Sequence, residues 1–232
     1  MNTISERKPT LLLVALVLLV GCSTRISLRS GDRIVFFGDS ITELGVKPNG
    51  YITLIKEELN SRHPDLGIEV IGAGISGNKV TDLLNRLGRD VLDKKPNVVV
   101  IYIGINDVWH WVLKNLKGTP KDEYERGLRE IIARIQYSGA EVILCTPSVI
   151  GEKHDGTNPQ DAMLEEYASI SRRVTMELGV RVCDLRKSFI EHLSQHNKDN
   201  KEQDILTYDR VHLNDAGNRF VAQEILKSLG EQ

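Results

Sequence analysis

Short apolar runs alternate with longer amphipathic stretches along this chain. The run Arg33–Phe37 predicts a buried strand, and Ile68–Ile71 predicts a second. Val98–Ile103 is β-branched, continuous and bounded by Pro96-Asn97 and Gly104, the clearest strand signal of all. Val142–Cys145, stopped by Pro147, and Val180–Cys183 predict two more. Between them, apolar residues recur at helical spacing. Tyr51–Ser61 places Ile52, Ile55 and Leu59 on one face, and Lys121–Tyr137 does the same with Tyr124, Leu128, Ile131, Ile132 and Ile135. Helices are also predicted over Val80–Leu92, Asp161–Leu178, Arg186–Gln195 and Asn214–Leu229, the last with Asn214 as N-cap. Strand–helix alternation of this kind implies a parallel sheet covered by helices on both faces. In such folds functional groups lie beyond the carboxyl ends of the strands.

Those ends carry chemistry. The first strand runs into Gly38-Asp39-Ser40-Ile41. A serine there projects its hydroxyl from the sheet edge, but it needs a base to become a nucleophile. The second runs into Gly72-Ala73-Gly74-Ile75-Ser76-Gly77-Asn78, where glycines leave backbone N–H groups open to a ligand. The third runs into Gly104-Ile105-Asn106-Asp107, and the Asn106 amide is a suitable donor to an oxyanion. Near the C-terminus, Asp209-Arg210-Val211-His212 spaces an acid and an imidazole so that one can orient the other. A nucleophile, a base with its acid, and oxyanion donors make up the set needed for acyl transfer.

These four blocks, in this order over residues 38–212, resemble those of the SGNH/GDSL hydrolases. One position departs: Ile41 stands where the motif has leucine, an exchange that leaves the chemistry untouched. The resemblance implies a three-layer α/β/α sandwich, with about five parallel strands in flavodoxin-like order. It implies Ser40 as nucleophile, His212 as base and Asp209 as orienting acid. The Ser40 N–H, the Gly77 N–H and the Asn106 side chain would form the oxyanion hole. Asp39 and Asp107 are expected to hold their loops through backbone N–H groups. No metal and no cofactor is implied. The substrate is expected to be an ester of a small molecule or glycan, with carbohydrate O-deacetylation favoured. The alternatives are a lysophospholipase or thioesterase and, in another class, a cell-surface binding lipoprotein without turnover.

Other motifs compete. Gly72-Ala73-Gly74-Ile75-Ser76-Gly77 matches the dinucleotide-binding fingerprint in letters, but the following strand ends without the acid that would bind a ribose. Trp109, His110 and Trp111 either wall the pocket or pack the loop after the third strand. His192 and His196 have a metal-ligand spacing without an evident third ligand, and Asn197–Asp204 reads as an exposed polar loop. The hydrolase elbow Gly-x-Ser-x-Gly is absent.

Composition changes the picture mainly at the N-terminus. With 30 basic and 32 acidic residues among 232, the chain lacks the basic footprint of a nucleic-acid binder. Arg7 and Lys8 precede ten apolar residues, Leu11–Val20, too few to span a bilayer as a helix but suited to a signal peptide. The run ends in Gly21-Cys22, which resembles a bacterial lipoprotein junction. Residues 1–21 are therefore expected to be removed and Cys22 lipidated. That leaves 22–232 as one domain, with 22–31 as a tether, held at an extracytoplasmic membrane face. Cys145 and Cys183 then remain, each in an apolar run where a buried thiol is the default.

Overall fold

The computed structural model describes residues 26–231. The expected signal peptide and Cys22 lie outside them. Five strands form one parallel sheet: β1 (Arg33–Gly38), β2 (Glu69–Gly74), β3 (Val98–Tyr102), β4 (Glu141–Cys145) and β5 (Arg181–Cys183). Their order across the sheet is β2-β1-β3-β4-β5, the expected flavodoxin-like arrangement. Eight α-helices are described: α1 (Ser40–Gly45), α2 (Tyr51–Arg62), α3 (Val80–Asp90), α4 (Ile105–Trp109), α5 (Lys121–Tyr137), α6 (Asp161–Leu178), α7 (Leu185–His196) and α8 (Asp215–Leu229).

The order explains the layers. From β1 the chain crosses one way to β2, then reverses and steps through β3, β4 and β5. Right-handed crossovers put connections of opposite direction on opposite faces. Thus α2 packs with α8 on one face, while α3, α5 and α6 pack side by side on the other. With both faces covered, the central strand β3 is buried throughout and shows no polar alternation.

Several boundaries differ from the sequence reading. The second strand extends through Gly72, Ala73 and Gly74, which pair with Phe36, Phe37 and Gly38. The supposed phosphate-binding turn is therefore sheet, which removes the geometric basis of the dinucleotide motif. Helices α1 and α4, too short to show a period, begin at the ends of β1 and β3. Ile26, assigned to the tether, is buried in the core. Asn197 is also buried, donating to the carbonyls of Glu152 and Lys201, so the loop it opens is anchored at that end. Asn214 caps α8 by accepting from the Gly217 N–H. Cys145 and Cys183 face each other in register on β4 and β5 as buried free thiols. Burial pushes the Cys145 thiol well above its ordinary pKa.

Gly38 is where sheet meets site. A Cβ there would overlap Thr42 Oγ1 and the Tyr102 carbonyl oxygen, so α1 can fold back on β1 and β3 only over a bare Cα. Gly38→Ala is expected to lower stability by about 1–3 kcal/mol through overpacking, read from urea unfolding. An unchanged midpoint would refute the steric argument.

Candidate active site

The first block is a helix start. Asp39 is the N-cap of α1, its Oδ1 accepting from the Ile41 N–H at 3.0 Å. Ser40 is the first helical residue, where a backbone N–H has no intrahelical acceptor. Among the described residues that N–H finds no other acceptor. The Gly77 N–H likewise has none, and Gly77 sits at φ +76, a left-handed turn where glycine is at ease.

The loop carrying Gly77 is tied to α1, the helix that Ser40 begins. Ser76 donates both its N–H (2.6 Å) and its hydroxyl (2.5 Å) to Glu43 of α1. These bonds hold the Glu43 carboxyl below its ordinary pKa. Gly74 abuts the Asp39–Glu43 backbone so closely that no side chain would fit.

Asn106 lies in the first turn of α4, which starts from Gly104 at φ +125. Its Nδ2 donates to the Asn78 carbonyl at 3.0 Å. An amide nitrogen carries two hydrogens, so one remains for a substrate oxygen. Asp107 beside it accepts from the Val80 N–H at 3.1 Å and joins α4 to the start of α3.

The fourth block folds into a tight loop. Arg210 takes a left-handed conformation (φ +80), which turns Asp209 and His212 toward each other. Asp209 Oδ1 accepts from the N–H groups of Val211 and His212, and Oδ2 accepts from His212 Nδ1 at 2.7 Å. Partial burial would raise the Asp209 pKa, but these donors outweigh it and hold the carboxyl below its ordinary value. The opposite ring nitrogen, Nε2, lies 2.8 Å from Ser40 Oγ. With Nδ1–H given to Asp209, Nε2 is free to accept the serine proton. Serine, imidazole and carboxylate thus form one hydrogen-bonded chain across 172 residues of sequence.

The remaining candidates separate. Trp109 is partly buried against the core, His110 is buried, and Trp111 is 39% exposed. Burial, helped by the charge of Lys79, lowers the His110 pKa. His192 and His196 stack at 4.1 Å, and His196 Nδ1 donates to the His192 carbonyl. Among the described residues no cluster of three or more His, Cys, Asp or Glu could hold a metal.

Sequence reasoning missed residues around the site, Arg86 and Tyr208 among them. Arg86, buried on α3 over the Phe37 ring, donates to the Gly38 and Ala73 carbonyls and to Asn78 Oδ1. It therefore holds the ends of β1 and β2 and the loop that follows. Its only signal was a charge between Leu83 and Leu87 on an apolar face. Tyr208 lays its ring beside that of His212, with centroids 5.9 Å apart and planes 20° from parallel.

The GDSL-like lipase/acylhydrolase family model matches residues 36–220. An acetylxylan esterase of Geobacillus stearothermophilus is 33% identical over 216 residues, covering 87% of this chain and 95% of that protein. The crystal structure of an acetyl xylan esterase, AlAXEase, superposes with a TM-score of 0.82 at 45% identity, covering 85% of this chain and 99% of that one. The lipoprotein YqeF of Bacillus subtilis, itself uncharacterized, is 26% identical over 204 residues, covering 78% of this chain and 80% of that protein. The chain belongs to the GDSL-like lipase/acylhydrolase family and is a carboxylic ester hydrolase.

Two acids in the site should respond to pH. Burial pushes Asp39 up to about 7 and Asp107 up to about 6. In the unfolded chain both ionise near 4, so over the intervening range the fold holds protons that the unfolded chain has lost. Their contribution is full below about pH 4 and declines as pH rises through about 6 and 7. Asp39→Asn cannot ionise. Its stability deficit against wild type, from urea unfolding, should shrink between about pH 4.5 and pH 7.5. A deficit constant across that range would contradict the assignment for Asp39.

Proposed function

We propose that this enzyme is a serine O-deacetylase of acetylated carbohydrate, working through an acyl-enzyme. The observation that carries the mechanism is the unbroken chain Ser40–His212–Asp209, at 2.8 and 2.7 Å. The resemblance to acetylxylan esterases supports the substrate class.

His212 Nε2 takes the Ser40 proton as Oγ attacks the ester carbonyl. The carbonyl π bond opens and leaves negative charge on its oxygen. The Ser40 N–H, the Gly77 N–H and the second Asn106 amide hydrogen receive that charge. The Ser40 and Gly77 N–H groups have no other acceptor among the described residues, so neither must give up a protein bond as charge develops. The tetrahedral intermediate collapses, the C–O bond to the alcohol breaks, and protonated His212 supplies the leaving oxygen's proton. Water then loses a proton to His212, attacks the acyl carbon and releases the acid, restoring Ser40. Asp209 keeps the Nδ1–H tautomer and stabilises the imidazolium.

The proposal extends to location: cleavage before Cys22 and lipidation there would hold the domain at an extracytoplasmic membrane face. The signal-like N-terminus supports this, as does the likeness to a protein named as a lipoprotein.

Hydrolysis of p-nitrophenyl acetate and acetylated xylo-oligosaccharides is expected, with acetate preferred over octanoate. Ser40→Ala should abolish it, and Asn106→Ala should lower kcat by about 10²–10³-fold. Activity surviving Ser40→Ala would overturn the mechanism, and preference for octanoate would overturn the deacetylase assignment. In a bacterial host the full chain should partition with membranes, and Cys22→Ser should remain outside the membrane fraction. Equal partitioning of both would defeat the lipid anchor.

A further inference from the structure

The acid–base loop is far in sequence from the sheet end that it serves, and something must hold it there. After β4 the chain passes through a buried segment to Gly151-Glu152. Glu152 is fully buried. Its Oε2 accepts from the Ile205 N–H at 2.8 Å. Its Oε1 accepts from the N–H groups of Leu206 (2.7 Å) and Thr207 (2.6 Å) and from Thr207 Oγ1 (2.9 Å). Three successive peptide N–H groups thus converge on one carboxylate. Successive N–H groups point the same way only where the chain curls. The curl is present: Asp204 is left-handed (φ +77), and its N–H donates to the Thr207 carbonyl.

The grip on residues 205–207 reaches the base directly. Thr207 bridges antiparallel to Leu213. The Tyr208 N–H donates to the His212 carbonyl at 2.9 Å, and the Asn214 N–H to the Leu206 carbonyl at 3.0 Å. The loop is therefore closed on itself, with Asp209 and His212 at its tip. A second tie joins the same dipeptide to the far side of Asp209, where the Gly151 N–H donates to the Arg210 carbonyl at 2.7 Å. Glu152 also donates its own N–H to the Glu202 carbonyl and accepts from Asn197 Nδ2.

We infer that Glu152 is a positioning residue for the acid–base pair: its carboxylate sets the loop that carries Asp209 and His212 at hydrogen-bonding distance from Ser40. The inference rests on the serine mechanism proposed above. A displacement of about 1 Å in a reacting group can slow turnover about 10²-fold, so a loop held by one carboxylate is a sensitive arrangement. Glutamine keeps the volume, but it turns one acceptor into an NH₂ that faces N–H donors.

The test uses the full-length protein and p-nitrophenyl acetate. Wild type, Glu152→Gln, Thr207→Val and Ser40→Ala are compared, with Ile55→Val as a control for stability lost in α2. Three quantities are read: the kcat and KM pair, the urea midpoint, and the downfield NMR resonance of the His212 Nδ1–H held by Asp209. Folded Glu152→Gln is expected to lose about ten- to a hundredfold in kcat, with KM within about twofold, and to lose or broaden that resonance. Thr207→Val should move both in the same direction by less. Ile55→Val should lower only the midpoint. If Glu152→Gln keeps wild-type kcat and resonance while its midpoint falls like the control's, Glu152 is structural only and the inference fails. If Glu152→Gln does not fold, Thr207→Val decides, and wild-type values there overturn the inference. Hydrolysis that survives Ser40→Ala overturns the mechanism itself, an outcome separable from the behaviour of Glu152.

Discussion

Five parallel strands must each be followed by a return across a face of the sheet, so their carboxyl ends all fall along one edge. Everything at this site depends on that constraint. Ser40 follows β1, Gly77 the turn after β2, and Asn106 the start of α4 after β3. The order reverses between β1 and β3, so their outgoing chains diverge to opposite faces and leave a crevice between them. Ser40 and Asn106 stand at the two strand ends flanking it.

Charged side chains bound to backbone then fix each loop. Asp39 and Asp107 hold the starts of α1 and α3, Glu43 grips Ser76, Arg86 gathers the β1 and β2 carbonyls, and Glu152 takes the N–H groups of 205–207. Peptide partners have a physical advantage here: a backbone N–H is placed by the fold itself and carries no rotamer entropy of its own. A carboxylate that meets several of them fixes a whole turn rather than one side chain. The result is a set of strand-end loops fixed by the fold itself.

Burial and hydrogen bonding pull the acids of the site in opposite directions. Asp39 and Asp107 are sealed with few donors, and desolvation raises them. Asp209 is only partly covered and has three donors, so its charge is favoured. The carboxyls are thereby divided between two inclined to hold a proton and one, beside the His212 imidazole, whose charge is favoured.

Local pattern determined much of this protein. Apolar runs marked all five strands, most clearly β3, which is covered on both faces and has no polar position to obscure it. Four short blocks singled out Ser40, Asp209 and His212, which the fold brings into one hydrogen-bonded chain, together with Gly77 and Asn106, because such blocks sit at strand and helix boundaries that sequence can locate. Tertiary structure alone decided the rest. Gly72 and Ala73 read as a turn until pairing with Phe36 and Phe37 made them strand, since cross-strand hydrogen bonds come from distant chain. Helices α1 and α4, at six and five residues, are shorter than the window a period needs. The division of Trp109, His110 and Trp111 depended on what packs around them. Arg86 and Glu152 carry no motif, because their roles consist of contacts with backbone, and any sequence supplies backbone. Which backbone a buried charge meets is settled only when the chain has folded.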